Sequence, residues 1–357
     1  MWRLASVDIA TVDTRSDFRW VVAAPFFTEE RASWIVEDGG VYGRHSFAFV
    51  RRESAGPSWH EKARHNSSVG DWLGFRNQAR EALGVPSDGC ITVFPQLAAA
   101  AASQMRVQRD DRPLVSWFFN TTISGRVRAR SARAALGRVN RFVVHSTAEI
   151  EAYARDLALP ADRFQFVPLQ YGGIVSNAGP PPGDPYLFAT GSGFRDYGTM
   201  FAAVEKLGYR TLVLAGPRAL AGLEVPDNVE IIDAMSKAEI HRHVLHARAN
   251  VLPLNEDGVT AGLVTIVEAF RHGRAMVGTA RSGVEDYLID DDTALLAPPF
   301  DVNGLADRLE AMWTDESLRE RLDHNADRFG QERCTDTAAA AALGKILDQE
   351  SGMKRAA

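Results

Sequence analysis

Residues 255–301 read NEDGVTAGLVTIVEAFRHGRAMVGTARSGVEDYLIDDDTALLAPPFD. The order of polar, apolar and glycine-bearing segments predicts a loop, a helix, a short buried strand, a glycine turn, a second helix and an exit at two prolines. Gly262 stands at the start of the first helix, where it permits close approach of the backbone to a ligand. Glu268 is an acidic residue inside that helix. The stretch therefore predicts part of an α/β domain.

Strands and helices alternate over the rest of the chain as well. Strands are predicted at 21–26, 45–50, 90–95, 114–119, 142–145 and 164–169, and again at 186–190, 211–215, 229–232 and 249–253. Helices are predicted at 72–83, 126–139, 197–206 and 237–247, and a helical pattern continues through 302–349. Such alternation favours parallel sheets that are covered by helices on both faces.

The predicted fold class is α/β, with two doubly wound, Rossmann-like domains that face each other across a cleft. Residues 171–185 are dense in Gly and Pro and predict a linker between domains at 1–170 and 186–335. Residues 336–357 are expected to form a helix and tail that pack back on the first domain. Ligands of open α/β sheets lie at the carboxyl ends of the strands, so the cleft is the expected site.

The composition argues against several classes of protein. The net charge is −6, from 40 Lys and Arg against 46 Asp and Glu, whereas a nucleic-acid binder needs a basic surplus to neutralise phosphates. The two cysteines, Cys90 and Cys334, support neither a disulfide framework nor a CxxC metal site. The first residues lack the apolar segment of a signal peptide, and no apolar run reaches about 18 residues. We therefore expect a cytoplasmic protein.

The loop at 191–200, GSGFRDYGTM, follows a predicted strand and leads into a predicted helix. Gly191 and Gly193 keep its backbone open, and Arg195 stands where the loop turns into the helix. A helix N-terminus offers free amides and about half a positive charge. An arginine adds a fork of donors that matches phosphate oxygens. The loop is therefore expected to bind phosphate groups.

These two passages, with FVVHSTAEIEAYARDLALPADRFQFVP at 142–168, resemble the GT-B glycosyltransferases of the large retaining group usually called family 4. The resemblance extends over about residues 187–328 and is thin in the N-terminal half. It implies that the first domain binds an acceptor and the second binds a nucleotide diphosphate sugar. It implies no cofactor and no catalytic metal.

The resemblance also assigns a phosphate-binding role in the second domain. Arg195 matches a basic residue that grips the nucleotide diphosphate, although Ser192 stands where the family has an arginine in its glycine loop. The backbone amides at the start of the helix in 262–271 are expected to cap the pyrophosphate. The residues assigned to donor binding are Gly191, Gly193, Arg195, Gly262, Leu263, Val264 and Glu268.

Two family glutamates are expected near the donor sugar and the ribose. Glu268 matches the second, which contacts the ribose hydroxyls in the family. Eight residues before it the family has a glutamate that contacts the sugar, and this chain has Thr260. Thr260 is therefore the candidate sugar contact, while Glu256 lies further upstream. A purely structural role for Glu268, paired with a nearby arginine, is the alternative.

The candidate residues of the first domain match the family pattern less closely than those of the second domain. Asn120 follows a predicted strand at the position where the family often has a sugar-contacting histidine, and it could instead cap a turn. His145 ends the next predicted strand and serves either the acceptor or the structure. Aromatic and basic groups at 59–80 suit a sugar acceptor, and Trp59, His60 and His65 are the acceptor-binding candidates there.

A cationic segment stands out in this acidic chain. RVRARSARAALGR at 126–138 contains Arg126, Arg128, Arg130, Arg133 and Arg138. Each such charge contributes about 1 kcal/mol near an anionic lipid surface. The segment is either a peripheral contact with the inner face of a membrane, which would suit a lipid-linked acceptor, or a solvated helix face.

The predicted reaction transfers a sugar from a nucleotide diphosphate sugar to a carbohydrate or lipid-linked acceptor, in the synthesis of cell-surface polysaccharide or glycoconjugate. The resemblance implies retention of the anomeric configuration. Arg195, Thr260 and Asn120 are the catalytic candidates. The alternatives are a GT-B epimerase of nucleotide sugars and a member that binds nucleotide or glycan without turnover. A Rossmann oxidoreductase is disfavoured, because no GxGxxG motif opens the first strand.

Overall fold

The computed structural model describes residues 17–24, 44–50, 69–123, 125–174, 179–180, 183–255 and 260–352. They fall into two compact units. The first runs to Val167 and takes in the residues from Ala340 onward, and the second spans Pro168 to Ala339. The helix Asp336–Glu350 therefore begins in the second unit and ends in the first.

The first unit contains a six-stranded sheet in the order β2-β1-β3-β4-β5-β6, and every pair in it is parallel. The strands are β1 (Phe18–Ala23), β2 (His45–Val50), β3 (Gly89–Val93), β4 (Leu114–Trp117), β5 (Arg141–Val144) and β6 (Phe164–Phe166). The helices are α1 (Val69–Gly84), α2 (Pro95–Gln108), α3 (Arg126–Leu136) and α4 (Ala148–Leu157), with a 3-10 turn at Ala161–Arg163. Helix α2 was not predicted from the sequence.

Buried side chains of alternate strand positions and of α1 to α4 form the core of this unit. Cys90 is one of them, as its apolar surroundings in the sequence suggest. Polar groups fasten the C-terminal helix to the sheet: Trp20 Nε1 donates to His45 Nδ1 at 3.1 Å, and His45 Nε2 donates to Asp348 Oδ1 at 3.0 Å. The prediction of a parallel sheet that packs against helices is confirmed for the first unit.

The second unit contains another six-stranded parallel sheet, in the order β12-β11-β10-β7-β8-β9. Its strands are β7 (Leu187–Thr190), β8 (Thr211–Leu214), β9 (Val229–Ile232), β10 (Ala249–Leu252), β11 (Met276–Thr279) and β12 (Ala294–Ala297). Its helices are α5 (Tyr197–Leu207), α6 (Lys237–His246), α7 (Leu263–Arg271), α8 (Val302–Thr314) and α9 (Glu316–Arg333), followed by α10 (Asp336–Glu350). The strand order reverses between β7 and β10, and ligands of doubly wound sheets bind at such a point.

One predicted element is wrong. The second helix of the stretch at 255–301 is absent, and residues 282–287 form consecutive turns that lead to β12. Gly283 has φ +98°, a conformation that side-chain-bearing residues of a helix do not adopt. Thr293 Oγ1 then binds the Tyr287 carbonyl and the Ile289 amide, which ends the single turn that begins at Val284. Local hydrogen bonds therefore outweigh the helical pattern.

Across the parts of the chain described, no helix combines the length and the apolar character needed to cross a bilayer.

Candidate functional site

The loop after β7 lies at the point where the strand order of the second sheet reverses. It is tied to the end of the neighbouring strand β10: the Asp196 amide donates to the Pro253 carbonyl at 3.0 Å, and the Asn255 amide donates to the Phe194 carbonyl at 3.1 Å. Phe194 has φ +56° and Gly191 has φ +104°. The backbone of this loop is therefore held in a sparsely populated conformation, which is common at binding sites.

Arg195 folds back over the loop and reaches the neighbouring helix. Its guanidinium donates to the Thr190 carbonyl at 3.2 Å, to the Gly193 carbonyl at 2.7 Å and to Thr265 Oγ1 in the first turn of α7 at 3.2 Å. Gly191 is needed for this arrangement, because a Cβ there would lie 2.6 Å from Arg195 Nη2. None of the carboxylates in the described residues forms an ion pair with Arg195. The structure therefore presents a positively charged group beside a helix start.

Two helices start near this loop, and their N-termini differ. Asp196 caps α5, with its carboxylate accepting from the Thr199 amide at 3.0 Å. Helix α7 instead starts at Gly262, which has φ +81° and supplies no side-chain cap. Among the described residues, no side chain caps the first amides of α7, at Leu263 and Val264, which a helix leaves without an intrahelical partner. Of the two, the N-terminus of α7 is the one suited to an anion.

Arg281 adds a second cation that was not among the sequence candidates. It lies two residues beyond the end of β11, is 8% exposed and donates from Nε to the Ser282 carbonyl at 3.3 Å. Burial lowers the pKa of Arg195, and the charge of Arg281 lowers it too. The two buried guanidinium groups therefore repel each other. Arg281 could have been found from its place after a strand, since the carboxyl ends of parallel strands converge.

Thr260 lies at the same edge of the sheet, before α7. A Cβ on Gly283, in the turn after β11, would come within 3.2 Å of Thr260 Cα and Oγ1. Glycine at that position, with φ +98°, therefore lets the two loops meet. The structure brings Thr260 into the neighbourhood of the α7 start. It lies in the loop and not in the helix.

Glu268 is part of a buried polar cluster further along α7. Its Oε1 accepts from the Tyr171 hydroxyl at 2.5 Å and lies 3.3 Å from His241 Nε2. The Tyr171 hydroxyl oxygen lies 3.0 Å from His241 Nε2, and Lys237 Nζ lies over the Tyr171 ring at 5.0 Å from its centroid. Burial raises the pKa of Glu268, while the Tyr171 hydrogen bond and the Lys237 charge lower it. The alternative of an arginine partner for Glu268 is not what the described residues show.

In the first unit, Asn120 and His145 share one carboxylate. Glu149 is buried; it accepts from Asn120 Nδ2 at 3.3 Å, from the His145 amide at 3.2 Å and from the Tyr153 hydroxyl at 3.2 Å. His145 Nδ1 donates to the Val167 carbonyl at 2.8 Å, and burial lowers the pKa of His145 to about 4. The imidazole is therefore neutral near pH 7. Asn120 is exposed.

An aromatic group surrounds His145 at the carboxyl ends of three neighbouring strands. The Phe118 ring lies 4.9 Å from the His145 ring and 5.1 Å from the Phe94 ring, between centroids. Phe94 and Phe118 both have positive φ, +74° and +55°. These residues were not sequence candidates, and no motif marked them.

The arginines of the cationic segment differ in their exposure and in their hydrogen bonds. Arg128, Arg130 and Arg133 are exposed on α3. Arg138 is partly buried and donates to the carbonyls of Asp110 and Arg112 and to Asn140 Oδ1. Its side chain therefore stabilises the first unit, which is a physical reason to remove Arg138 from the expected membrane contact.

Other candidates fall outside the described residues, namely Trp59, His60 and His65. The side chain of Arg126 is also outside them. Among the residues that the structure describes, no three His, Cys, Asp or Glu side chains come together in a way that could hold a metal ion.

Residues 212–329, which cover most of this second sheet and the α7 region, match the family described as glycosyl transferases group 1. Solved structures are similar over most of the chain. Sucrose-phosphate synthase from Thermosynechococcus elongatus aligns at TM-score 0.66 and 16% identity, over 86% of this chain and 84% of that one. The chain has the GT-B glycosyltransferase fold. No curated protein sequence matches it significantly.

Two further structures support the assignment of this GT-B fold. A glycosyltransferase from Rickettsia africae aligns at TM-score 0.68 and 11% identity, over 95% of this chain and all of that one. HepE from Anabaena, solved in complex with UDP, aligns at TM-score 0.65 and 11% identity, over 93% of this chain and all of that one. The predicted α/β fold class and the resemblance to the GT-B fold are confirmed.

Proposed function

We propose that this chain transfers a sugar from a nucleotide diphosphate sugar to a hydroxyl group of an acceptor. The observation that carries the proposal is the juxtaposition of Arg195 with the uncapped start of α7, where the order of the second sheet reverses. A diphosphate carries charge that suits both groups. The similar Anabaena HepE has been solved with UDP and with UDP-glucose, which is consistent with such a donor.

The proposed role of these groups is to stabilise the charge that develops on the leaving diphosphate. Fixed donors in a site that excludes water are worth more in the transition state than in solution. Arg195, the amides of Leu263 and Val264, and Arg281 would supply those donors. Because they provide the positive charge, we propose that transfer needs no metal ion. Activity that is retained in excess EDTA would agree with this, and activity that returns only with a divalent cation would contradict it.

The finer features of the reaction follow from the resemblance. We propose retention of configuration, with Thr260 near the donor sugar and Glu268 at the ribose. The acceptor is proposed to be a carbohydrate or a lipid-linked carbohydrate, in the synthesis of cell-surface polysaccharide or glycoconjugate. Asn120 and His145 are proposed to lie near it, since they stand at the strand ends of the first unit.

Contact with an anionic membrane surface is proposed for the exposed arginines of α3. Arg128, Arg130 and Arg133 are exposed on one 11-residue helix of a chain whose net charge is −6. The test is sedimentation with vesicles that contain phosphatidylserine, for the wild type and for a variant with all three changed to Gln. Loss of vesicle binding in the variant would support the membrane contact, and equal binding by the two proteins would contradict it.

The donor is tested with a panel of nucleoside diphosphates and their sugar derivatives. At about 100 times the dissociation constant a true ligand adds about 2.7 kcal/mol to the free energy of unfolding. For a domain of about 150–250 residues that corresponds to a rise in melting temperature of about 5–10 °C. Sugar release is then followed with and without candidate acceptors. No response to any uridine, guanosine or adenosine diphosphate would refute the proposed donor site.

Acceptor dependence separates the proposed transfer from its alternatives. Release of free nucleotide that depends on an acceptor supports a transferase. Epimerised sugar without any acceptor would indicate the epimerase, and tight nucleotide binding with no turnover would indicate a binding protein.

A further inference from the structure

The side chains that surround Glu268 bear on the charge and the orientation of its carboxylate. A carboxyl group accepts hydrogen bonds from ribose hydroxyls most strongly when it is charged, yet Glu268 is 7% exposed and lies among other side chains. Burial of an isolated carboxylate favours its neutral form. A group that keeps it charged and oriented is therefore needed if the site is to bind ribose at neutral pH.

Tyr171 supplies such a group. Its hydroxyl donates to Glu268 Oε1 at 2.5 Å, and the oxygen of the same hydroxyl lies 3.0 Å from His241 Nε2. Because Tyr171 donates its only proton to the carboxylate, its oxygen is the acceptor for His241. His241 is fully buried, and burial together with Lys237 lowers its pKa, so it is neutral and its proton lies on Nε2. A directed chain of hydrogen bonds thus runs from His241 through Tyr171 to Glu268.

This chain of hydrogen bonds occupies one carboxylate oxygen of Glu268 and thereby orients the other. Oε1 accepts from Tyr171 and lies 3.3 Å from His241 Nε2, whose one proton is directed at the Tyr171 oxygen. Tyr171 is itself fixed by its backbone: its amide donates to the Cys334 carbonyl at 2.9 Å, and its carbonyl accepts from Arg271 Nε at 3.3 Å. The rotamer of Glu268 is therefore set by groups from three different segments of the second unit.

We propose that Tyr171 and His241 are positioning residues that keep Glu268 charged and turned toward the ribose of the bound nucleotide. This rests on the proposed function for the ribose role of Glu268, but the charge state of Glu268 can be measured without a ligand. The titratable and charged groups that surround the carboxylate are Tyr171, His241 and Lys237 and, one turn along α7, His272 and Arg271.

The substitution Tyr171→Phe isolates the hydroxyl. The ring stays, so the contact with Lys237 Nζ and the backbone bonds of residue 171 are kept. Only the proton donor to Glu268 and the acceptor for His241 are lost. Tyr186→Phe is a matched control, because Tyr186 is a buried tyrosine of the same unit whose hydroxyl donates to the His243 carbonyl at 3.1 Å. It removes a structural hydrogen bond without touching Glu268.

The first readout is the ¹³C chemical shift of the Glu268 carboxyl carbon as a function of pH, in ligand-free protein labelled at glutamate and assigned with Glu268→Gln. We expect the titration midpoint of Tyr171→Phe at higher pH than that of the wild type, since the hydrogen bond that favours the charged form is gone. His241→Asn should move it in the same direction and by less. In Tyr186→Phe the midpoint should equal that of the wild type. An unchanged midpoint in Tyr171→Phe would overturn the proposal.

The second readout is the pH dependence of nucleoside diphosphate affinity, measured by calorimetry. In the wild type, affinity falls as pH drops through the midpoint of Glu268, and in Tyr171→Phe the fall begins at higher pH. At neutral pH the variant should bind about tenfold more weakly, the size expected for a lost hydrogen bond to a charged group. A uniform loss at every pH, as a merely structural defect gives, would contradict a role in setting charge. Absence of binding in the wild type would instead refute the proposed function, while the chemical-shift result would still decide the positioning role.

Discussion

The Gly191→Ala substitution tests whether the guanidinium of Arg195 has to occupy its observed position. Gly191 has φ +104°, and an added Cβ would lie 2.6 Å from Arg195 Nη2 and 3.1 Å from Cζ. The contact is with the far end of a flexible side chain, so the arginine has to move. We therefore expect its bonds to the Thr190 carbonyl, the Gly193 carbonyl and Thr265 Oγ1 to be disrupted.

The magnitude has two parts. A residue other than glycine in such a conformation costs about 1–3 kcal/mol, which lowers the melting temperature of a domain of this size by about 2–12 °C. Displacement of the guanidinium removes a hydrogen bond to a charged ligand, worth about 1.5–3 kcal/mol. The dissociation constant of a nucleoside diphosphate should therefore rise by about 10–150-fold. Both quantities are read from one protein preparation, by thermal unfolding and by titration calorimetry.

Gly208→Ala separates the two parts. Gly208 ends α5 with φ +68°, and a Cβ there meets open space. The control therefore shares a backbone cost of about 1 kcal/mol and leaves Arg195 in place. We expect a lower melting temperature and an unchanged nucleotide affinity. If Gly191→Ala binds the nucleotide as tightly as the wild type, or if Gly208→Ala loses as much affinity, the role of Arg195 in binding the diphosphate is refuted.

Three further results are expected. Glu268→Gln should weaken binding of the nucleoside diphosphate itself, by about tenfold in calorimetry, and equal affinities would remove the ribose contact. Thr260→Ala should change the preference among donor sugars in competition assays while the affinity for the nucleoside diphosphate stays; a parallel loss of both would contradict its place near the sugar. His145→Gln should flatten the pH dependence of stability. With a folded pKa of about 4 and an unfolded value near 6.5, the neutral imidazole stabilises the protein above pH 6.5, and about 3 kcal/mol is lost as pH falls to 4. Urea unfolding across that range measures it, and an equal slope in the variant would show that His145 is not the titrating group.

The two sheets could be predicted because strand and helix signals are local. Short β-branched and apolar runs lie within a few residues of the observed strands, as at β9 (Val229–Ile232), whose bounds match the prediction. The pattern misled where a few residues decide between helix and turn. In residues 282–287 the conformation of Gly283 and the side-chain bonds of Thr293 are local details that a periodicity does not contain.

The candidate site was predictable only in part, for a similar reason. Arg195 and Gly262 could be named because each stands at the junction of a strand or loop with a helix. The surroundings of Glu268 could not be named. Its hydroxyl donor, Tyr171, is 97 residues away in the chain and lies in a stretch that composition marked as a linker. Arg281 was missed, although its place two residues after the end of β11 is a signal that the sequence pattern offers.

The proposed donor site is tested most directly by calorimetric titration of the wild type with nucleoside diphosphates and with the matching nucleosides. We propose that Arg195, Arg281 and the first amides of α7 contact the diphosphate and not the nucleoside. At least one of UDP, GDP and ADP should therefore bind, with the matching nucleoside at least about tenfold weaker. Equal affinities for a nucleoside and its diphosphate, or no binding of any diphosphate, would contradict a diphosphate site at the start of α7.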